Sequence, residues 1–206
     1  PLFSTTTLQI SDGEGTQMDI PFDHEKLNTL MENDGVDLLL SSTKDNVRYL
    51  TGGFVFFFFA HKDAIGVSRY LPILGYPKGE PDKAFYIGNA MEGSQHEVEP
   101  IWVPSVRNDQ WHSGTTGKEA AVAIRGLGLE KGTIAIEKGF LPVDAYDALR
   151  EELPDAKFID ALFILEELRA VKRADELALI KEASKHIIGS MVTVMNSTLA
   201  GTTTYE

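Results

Sequence analysis

The chain has no cysteine among its 206 residues, which excludes disulfide bonds, thiolate metal ligands and cysteine nucleophiles. Basic residues are also scarce: 19 lysines and arginines stand against 31 aspartates and glutamates, for a net charge of −12. Nucleic acid binding needs a basic surface that displaces counterions, so this balance argues against nucleic acid and against anionic membranes. Because excess acid favours solubility, the composition predicts a cytoplasmic protein.

Long apolar runs are missing as well. The longest one, residues 54–60, is about a third of the roughly 20 residues that a membrane-spanning helix needs. The first 20 residues are polar and rich in threonine, without the basic and apolar regions of a signal peptide. We therefore interpret residues 1–20 as an N-terminal arm and expect no membrane partner.

The apolar residues that are present, 43% of the chain, fall in short segments that alternate between strand and helix patterns. Strands are predicted at residues 36–41, 54–59, 65–76, 83–88, 98–103, 132–137 and 156–160. Helices are predicted at residues 23–34, 42–50, 115–127, 142–153 and 161–169. This alternation predicts a layered α/β domain, and the turn-rich residues 77–82 predict a hairpin that makes the sheet mixed.

The last element differs from the others. In residues 173–197, apolar side chains recur at intervals of three, four or seven residues, which is typical of one helix face; they are Leu177, Ile180, Ile187, Met191 and Val194. At 1.5 Å per residue such a helix is about 35 Å long. Nothing later in the sequence could cover its apolar face, so we expect it to open a second, truncated domain. The alternative is that it packs back on the first domain.

Two histidines are candidates for a functional site. His96 lies among several glutamates, either as part of a metal site or, as we favour, in a solvated acidic loop. His61 follows a strongly apolar strand pattern, and alternation places Phe59 and His61 on the same face of that strand. An aromatic wall beside an imidazole could hold a small polar molecule, although a histidine at a strand end can also simply meet water.

Four stretches carry a family resemblance. Residues 46–52 (NVRYLTG) resemble the N-x-R-Y-L-T-G signature of the creatinase/prolidase, or pita-bread, metallohydrolase superfamily, and residues 132–137 (GTIAIE) resemble its G-x-I-G-I-E strand. Residues 165–176 resemble the junction before the long helix of the catalytic domain, and residues 200–206 resemble the turn after it. The order and spacing of these motifs fit from about Phe22 to Glu206.

The resemblance implies a two-domain enzyme. Residues 21–168 would form the N-terminal domain, an α/β fold with a ribonuclease-H-like mixed sheet, and residues 169–206 would begin the catalytic pita-bread domain. In peptidase members, two divalent metal ions (Mn, Co or Zn) are held by Asp, His and Glu ligands that would lie beyond this chain. We therefore expect no cofactor, no metal ligand and no catalytic residue in this fragment, which alone would be inactive.

The resemblance also implies a homodimer in which the N-terminal domain reaches over the active site of the neighbouring subunit. Phe59 and His61 would then contact a small peptide or amide substrate. Creatinase-like members carry an arginine where this chain has His61, which is smaller and usually neutral near pH 7.

Three functions stay open at this point. The parent protein could be a Xaa-Pro dipeptidase-like or aminopeptidase-like hydrolase, which is our main prediction. It could instead be a creatinase-like or ectoine-hydrolase-like enzyme that acts on a small non-peptide C–N substrate. The third alternative is a non-enzymatic domain used for dimerisation or for binding a partner.

Overall fold

A six-stranded mixed sheet forms the centre of the first of two units into which the chain divides, residues 1–164. The computed structural model describes residues 19–54, 56, 70–198 and 201. The strands are β1 (Leu38–Ser41), β2 (Ile73–Pro77), β3 (Phe85–Asn89), β4 (Ser105–Gln110), β5 (Thr133–Ile136) and β6 (Lys157–Asp160). Their order in the sheet is β4-β3-β2-β1-β5-β6, and the prediction of a mixed α/β domain is confirmed.

Apart from the helix at Gly93–Val98, which was not predicted, the helices of the described residues follow the sequence signals closely. They are α1 (His24–Asn33), α2 (Lys44–Leu50), α3 (Gly93–Val98), α4 (Ser113–Gly126), α5 (Val143–Glu152), α6 (Leu162–Ala170) and α7 (Ala174–Ser197). Asp23 begins α1 because its carboxylate accepts a hydrogen bond from the amide of Lys26 at 2.9 Å. The chain leaves α1 through Gly35, whose φ of +64° suits glycine.

The middle of the sheet is antiparallel and its flanks are parallel. The predicted hairpin is present: β2 runs antiparallel to β3, with Gly75 opposite Phe85, and β2 is also antiparallel to β1. The pairs β1–β5, β5–β6 and β3–β4 are parallel. All four residues of β1 are buried, which explains why its sequence is apolar without alternation.

One face of the sheet packs on α4 and α5. Leu38, Ile73, Ile87 and Ile134 from the sheet meet Ile124 and Leu149 of these helices in one buried cluster. Gly117 of α4 lets the two helices approach closely, since a Cβ there would lie 2.6 Å from the carbonyl oxygen of Ala145.

One predicted strand is wrong. Residues 98–103 were expected to be a strand, but α3 ends at Val98 and the strand is β4, which begins after Pro104. Proline cannot donate to a ladder, so Pro100 and Pro104 disfavour pairing in this stretch. The predicted strand 54–59 and the first part of 65–76 lie outside the described residues except Phe54 and Phe56, neither of which belongs to a strand.

The second unit, residues 165–206, contains the end of α6 and all of α7. Helix α7 begins after Arg173, whose backbone amide donates to the carboxylate of Glu176 at 2.8 Å. The apolar face predicted for this helix is exposed: Leu177, Ile180, Ile187, Met191 and Val194 are each 49–62% accessible to solvent. No helix within the described residues is long and apolar enough to cross a membrane.

Candidate functional site

Phe59 and His61, the two predicted substrate contacts, lie outside the described residues. The structure does describe the residues on either side of them: Phe54 and Phe56 before, and Tyr70 after. All three are buried, with no more than 7% of their surface accessible to solvent. These flanking residues are the described part of the candidate site, and their contacts show how its two ends are held.

The two flanks lie against each other. The rings of Phe56 and Tyr70 are 5.4 Å apart, centre to centre, and tilted by 52°. Phe54 stacks on the imidazole of His96 at 4.2 Å with an angle of 23° between the rings, and it also meets the edge of Tyr86 at 6.1 Å. The flanks of residues 57–69 are therefore fixed by aromatic contacts on the side of the sheet where α3 lies.

A buried carboxylate binds Tyr70, the flanking residue after residues 57–69. Glu92, immediately before α3, has no solvent exposure, and it accepts hydrogen bonds from the hydroxyls of Tyr70 at 2.6 Å and Tyr86 at 2.7 Å. A third bond at 2.6 Å comes from the amide of Asn89. Burial raises the pKa of Glu92 above its ordinary value, and these three donors oppose that rise. Burial also raises the pKa of both tyrosines, which stay protonated donors.

His96, one helical turn after Glu92, contacts three other side chains. Its ring lies between Phe54 and the edge of Tyr86, and its Nδ1 is 2.7 Å from the side-chain amide nitrogen of Asn108. Burial lowers the pKa of this imidazole, because desolvation disfavours the charged form. The favoured picture of a solvated acidic loop is therefore wrong for Glu92 and His96; Glu97 and Glu99 are exposed as expected, but Glu97 lies in α3 rather than in a loop.

The alternative picture of His96 as a metal ligand finds no support either. Among residues 19–54, 56, 70–198 and 201, no group of three or more His, Asp or Glu side chains is placed to hold a metal ion. Glu92 and His96 belong to one helical segment, but the first points at two tyrosines and the second at an aromatic ring and an amide.

A second buried carboxylate joins two of the sequence motifs. Glu137 follows β5, and one of its oxygens accepts from the backbone amides of Ser42 and, at 2.8 Å, Thr43. The other oxygen accepts from the Thr43 hydroxyl at 2.7 Å and from the side-chain amide of Asn46 at 2.6 Å. The carboxylate thus sits at the N-terminal end of α2, where a negative charge is stabilised. Both motifs are recognisable in the sequence, but no sequence pattern indicates that they touch.

Comparison with known proteins gives consistent results. Ectoine hydrolase of Halomonas elongata is 23% identical over 193 residues, covering 84% of this chain and 44% of that protein. The Xaa-Pro dipeptidase from Bacillus anthracis matches with a TM-score of 0.64 at 21% identity, over 87% of this chain and 44% of that one. The prolidase from Thermococcus sibiricus matches with a TM-score of 0.66 at 19% identity, over 90% and 46% of the two chains.

At these identities the two structures show a shared fold, and the chain spans less than half the length of each of the three relatives. The family model of the creatinase/prolidase N-terminal domain matches residues 24–171, which include both motifs joined by Glu137 and all six strands of the sheet. The chain therefore belongs to the creatinase/prolidase N-terminal domain family.

Proposed function

We propose that this chain is the non-catalytic N-terminal part of a Xaa-Pro dipeptidase-like or aminopeptidase-like hydrolase that cleaves an amide C–N bond. The observation that carries the proposal is the family match over residues 24–171, together with the 44–46% share of the relatives' length that the chain covers. In this proposal the catalytic pita-bread domain begins near residue 169 and includes α7. The exposed apolar face of α7 supports it, since such a face is stabilised when other residues cover it.

The chemistry is proposed to reside in the catalytic pita-bread domain, as the resemblance to peptidase members implies. A pair of divalent metal ions, Mn, Co or Zn, would polarise the scissile carbonyl and supply a hydroxide near neutral pH when bound in the catalytic domain. The role proposed for this chain is binding: Phe59 packs against the substrate and His61 hydrogen-bonds to it, in the active site of the neighbouring subunit of a homodimer.

A second candidate is an enzyme of the ectoine-hydrolase type, which acts on a small non-peptide substrate. Two observations favour it. The relative from Halomonas elongata is an ectoine hydrolase, and His61 stands where creatinase-like members carry an arginine. A smaller, usually neutral side chain leaves more room and places less positive charge beside the substrate than an arginine would.

One set of assays separates these candidates. The full-length gene product and this 206-residue chain are each supplied with Mn²⁺, Co²⁺ or Zn²⁺ and assayed on a Leu-Pro dipeptide and on ectoine. We expect the full-length protein to cleave the dipeptide, and this chain alone to cleave neither compound. Cleavage of ectoine but not of the dipeptide would select the second candidate. If the metal-loaded full-length protein cleaves neither compound, the non-enzymatic alternative is favoured. Robust cleavage by the repurified 206-residue chain would contradict the proposal that this chain is non-catalytic.

The proposed homodimer needs its own measurement. Sedimentation equilibrium of the full-length protein is expected to give twice the monomer mass. A mixing experiment then tests whether subunits share active sites: a His61→Ala subunit is combined with a subunit that lacks metal ligands. If the substrate contact comes from the neighbouring subunit, each mixed dimer has one intact site, in which the metal ligands of the His61→Ala subunit are combined with the His61 of the other subunit. The second site has neither the metal ligands nor His61. The mixture should therefore regain activity that neither variant has alone.

A further inference from the structure

Helix α3 and its N-cap residue Glu92 contact both flanks of residues 57–69, which are Phe54 and Tyr70, through residues one turn apart. His96 stacks on Phe54, before this segment, and Glu92 accepts the hydroxyl of Tyr70, after it. Tyr86 of β3 lies between the two, because its hydroxyl donates to Glu92 and its ring meets the edge of His96 at 5.4 Å. Helix α3 together with its N-cap residue Glu92, anchored to the sheet through Tyr86, therefore links Phe54 with Tyr70.

The site of Glu92 is built to hold a carboxylate. Its oxygens receive three hydrogen bonds of 2.6–2.7 Å, and among the described residues no cation is paired with it. Gly88 leaves the space for it, since a Cβ on this residue would lie 2.5 Å from the nearer Glu92 oxygen. A charged group without a cationic partner is costly to bury, so the three donors must all be in place.

We propose that Glu92 and His96 are positioning residues that fix the flanks Phe54 and Tyr70 relative to each other, so that substrate affinity depends on α3. The inference rests on the proposed function, in which Phe59 and His61 contact the substrate. It goes beyond that function because it assigns the positioning to residues that touch neither the substrate nor a metal ion. Loosening one flank is expected to loosen the other through α3.

The first test measures amide hydrogen exchange on this chain by mass spectrometry. Tyr70→Phe removes the hydroxyl that donates to Glu92 and keeps the ring beside Phe56. Tyr76→Phe is the matched control, because it removes another buried tyrosine hydroxyl, which donates to Asn28 at 3.0 Å.

We expect Tyr70→Phe to speed exchange about tenfold in peptides covering residues 54–56 as well as those covering 70–72, whereas Tyr76→Phe leaves both at the wild-type rate. Glu92→Gln should act in the same way, and exchange in β5 should stay unchanged in every variant. If Tyr70→Phe changes exchange only near residue 70, the two flanks are not coupled and the proposal fails. Should Glu92→Gln fail to fold, the Tyr70→Phe result decides alone.

The second test is kinetic and uses the full-length protein with the Leu-Pro dipeptide or ectoine, whichever the wild type cleaves. A positioning role predicts that Tyr70→Phe raises KM about tenfold with kcat changed less than about twofold, and that Tyr76→Phe changes neither. If Tyr70→Phe speeds exchange at both flanks but leaves KM unchanged, the contacts of Glu92 and His96 are purely structural, and the proposed effect on substrate affinity fails. If the wild type cleaves neither compound, the proposed function fails, while the exchange test still decides whether α3 couples the flanks.

Discussion

The side-chain nitrogen of Asn46 lies 2.6 Å from Oε1 of Glu137, and this hydrogen bond joins two motifs that are 91 residues apart in the chain. The same carboxylate also receives the backbone amides of Ser42 and Thr43, which precede α2. Only 7% of the surface of Glu137 is accessible to solvent, so few water molecules can replace these donors. The resemblance of the two motifs to those of a known family thus has a structural basis in one cluster of hydrogen bonds.

Replacing this carboxylate by an amide should destabilise the domain. In Glu137→Gln, one of the two side-chain oxygens becomes an NH₂ group that faces donors, either the amides of Ser42 and Thr43 or that of Asn46. Leaving buried donors unpaired costs about 2–3 kcal/mol, so we expect the free energy of unfolding to fall by that amount. Urea unfolding followed by circular dichroism measures the change.

Glu152→Gln serves as the control for this prediction. Glu152 pairs with Arg125 at 2.9 Å, but both side chains are more than 30% exposed to solvent. A surface pair of this kind contributes less than about 1 kcal/mol, and its loss should be small. Equal effects of the two substitutions would mean that the cluster around Glu137 has no special role in stability.

Two glycine-to-alanine substitutions should change stability in opposite directions. A Cβ on Gly75 of β2 would overlap the ring of Phe85 on the neighbouring strand, so Gly75→Ala should destabilise the domain by about 2 kcal/mol. Gly126 ends α4 in open space, since a Cβ on it would meet no atom within 4 Å, and its φ is not positive. Gly126→Ala should therefore stabilise the helix by about 0.5 kcal/mol. Thermal unfolding of both variants checks the signs, and destabilisation by Gly126→Ala would contradict this account of the helix end.

Local signals made several elements predictable from the sequence. Helix α1 was predicted at residues 23–34 and lies at His24–Asn33, because an N-capping aspartate and a glycine of positive φ act on their immediate neighbours. Strand β5 was predicted at residues 132–137 and lies at Thr133–Ile136, since a strand covered on both faces is apolar throughout.

Elements that depend on distant partners escaped prediction. Strand β4 is polar and mostly exposed, and it is a strand because it pairs with β3 at the edge of the sheet. Glu92 looks like one of several solvated glutamates, yet the fold brings it to Tyr70, which is 22 residues earlier in the chain. A charged residue that is buried by such a partner leaves no periodic pattern in the sequence.

The stability contributed by His96 should decrease on acidification. Burial lowers its pKa below the ordinary 6.5, so its contribution is complete above about pH 6.5 and is lost as the pH falls through the lower pKa of the folded state. The titratable groups beside it are Tyr86 of β3 and Glu92 of its own segment, and the raised pKa of Glu92 has the opposite effect on acidification.

A variant isolates the histidine from that opposing effect. His96→Phe keeps an aromatic ring against Phe54 and retains Glu92. The Tm of the wild type should fall relative to that of His96→Phe as the pH is lowered from 7.5 to 5. Tyr76→Phe is the control: burial raises the pKa of Tyr76 to about 12, outside this range, so its Tm difference from the wild type should stay constant. If the Tm difference between the wild type and His96→Phe is also independent of pH, the fold does not require the neutral form of His96.

The proposed substrate contact predicts a defect in binding without a defect in metal loading. In the full-length protein, His61→Ala should lower kcat/KM about tenfold, mostly through KM, because one hydrogen bond to the substrate is lost. Metal content, measured by mass spectrometry, should equal that of the wild type, since the metal ligands are proposed to lie elsewhere. His61→Asn keeps a hydrogen-bonding side chain of similar length and should recover part of the loss. If His61→Ala leaves the kinetics on the true substrate unchanged, His61 does not contact the substrate, and its alignment with the arginine of creatinase-like members has no functional meaning.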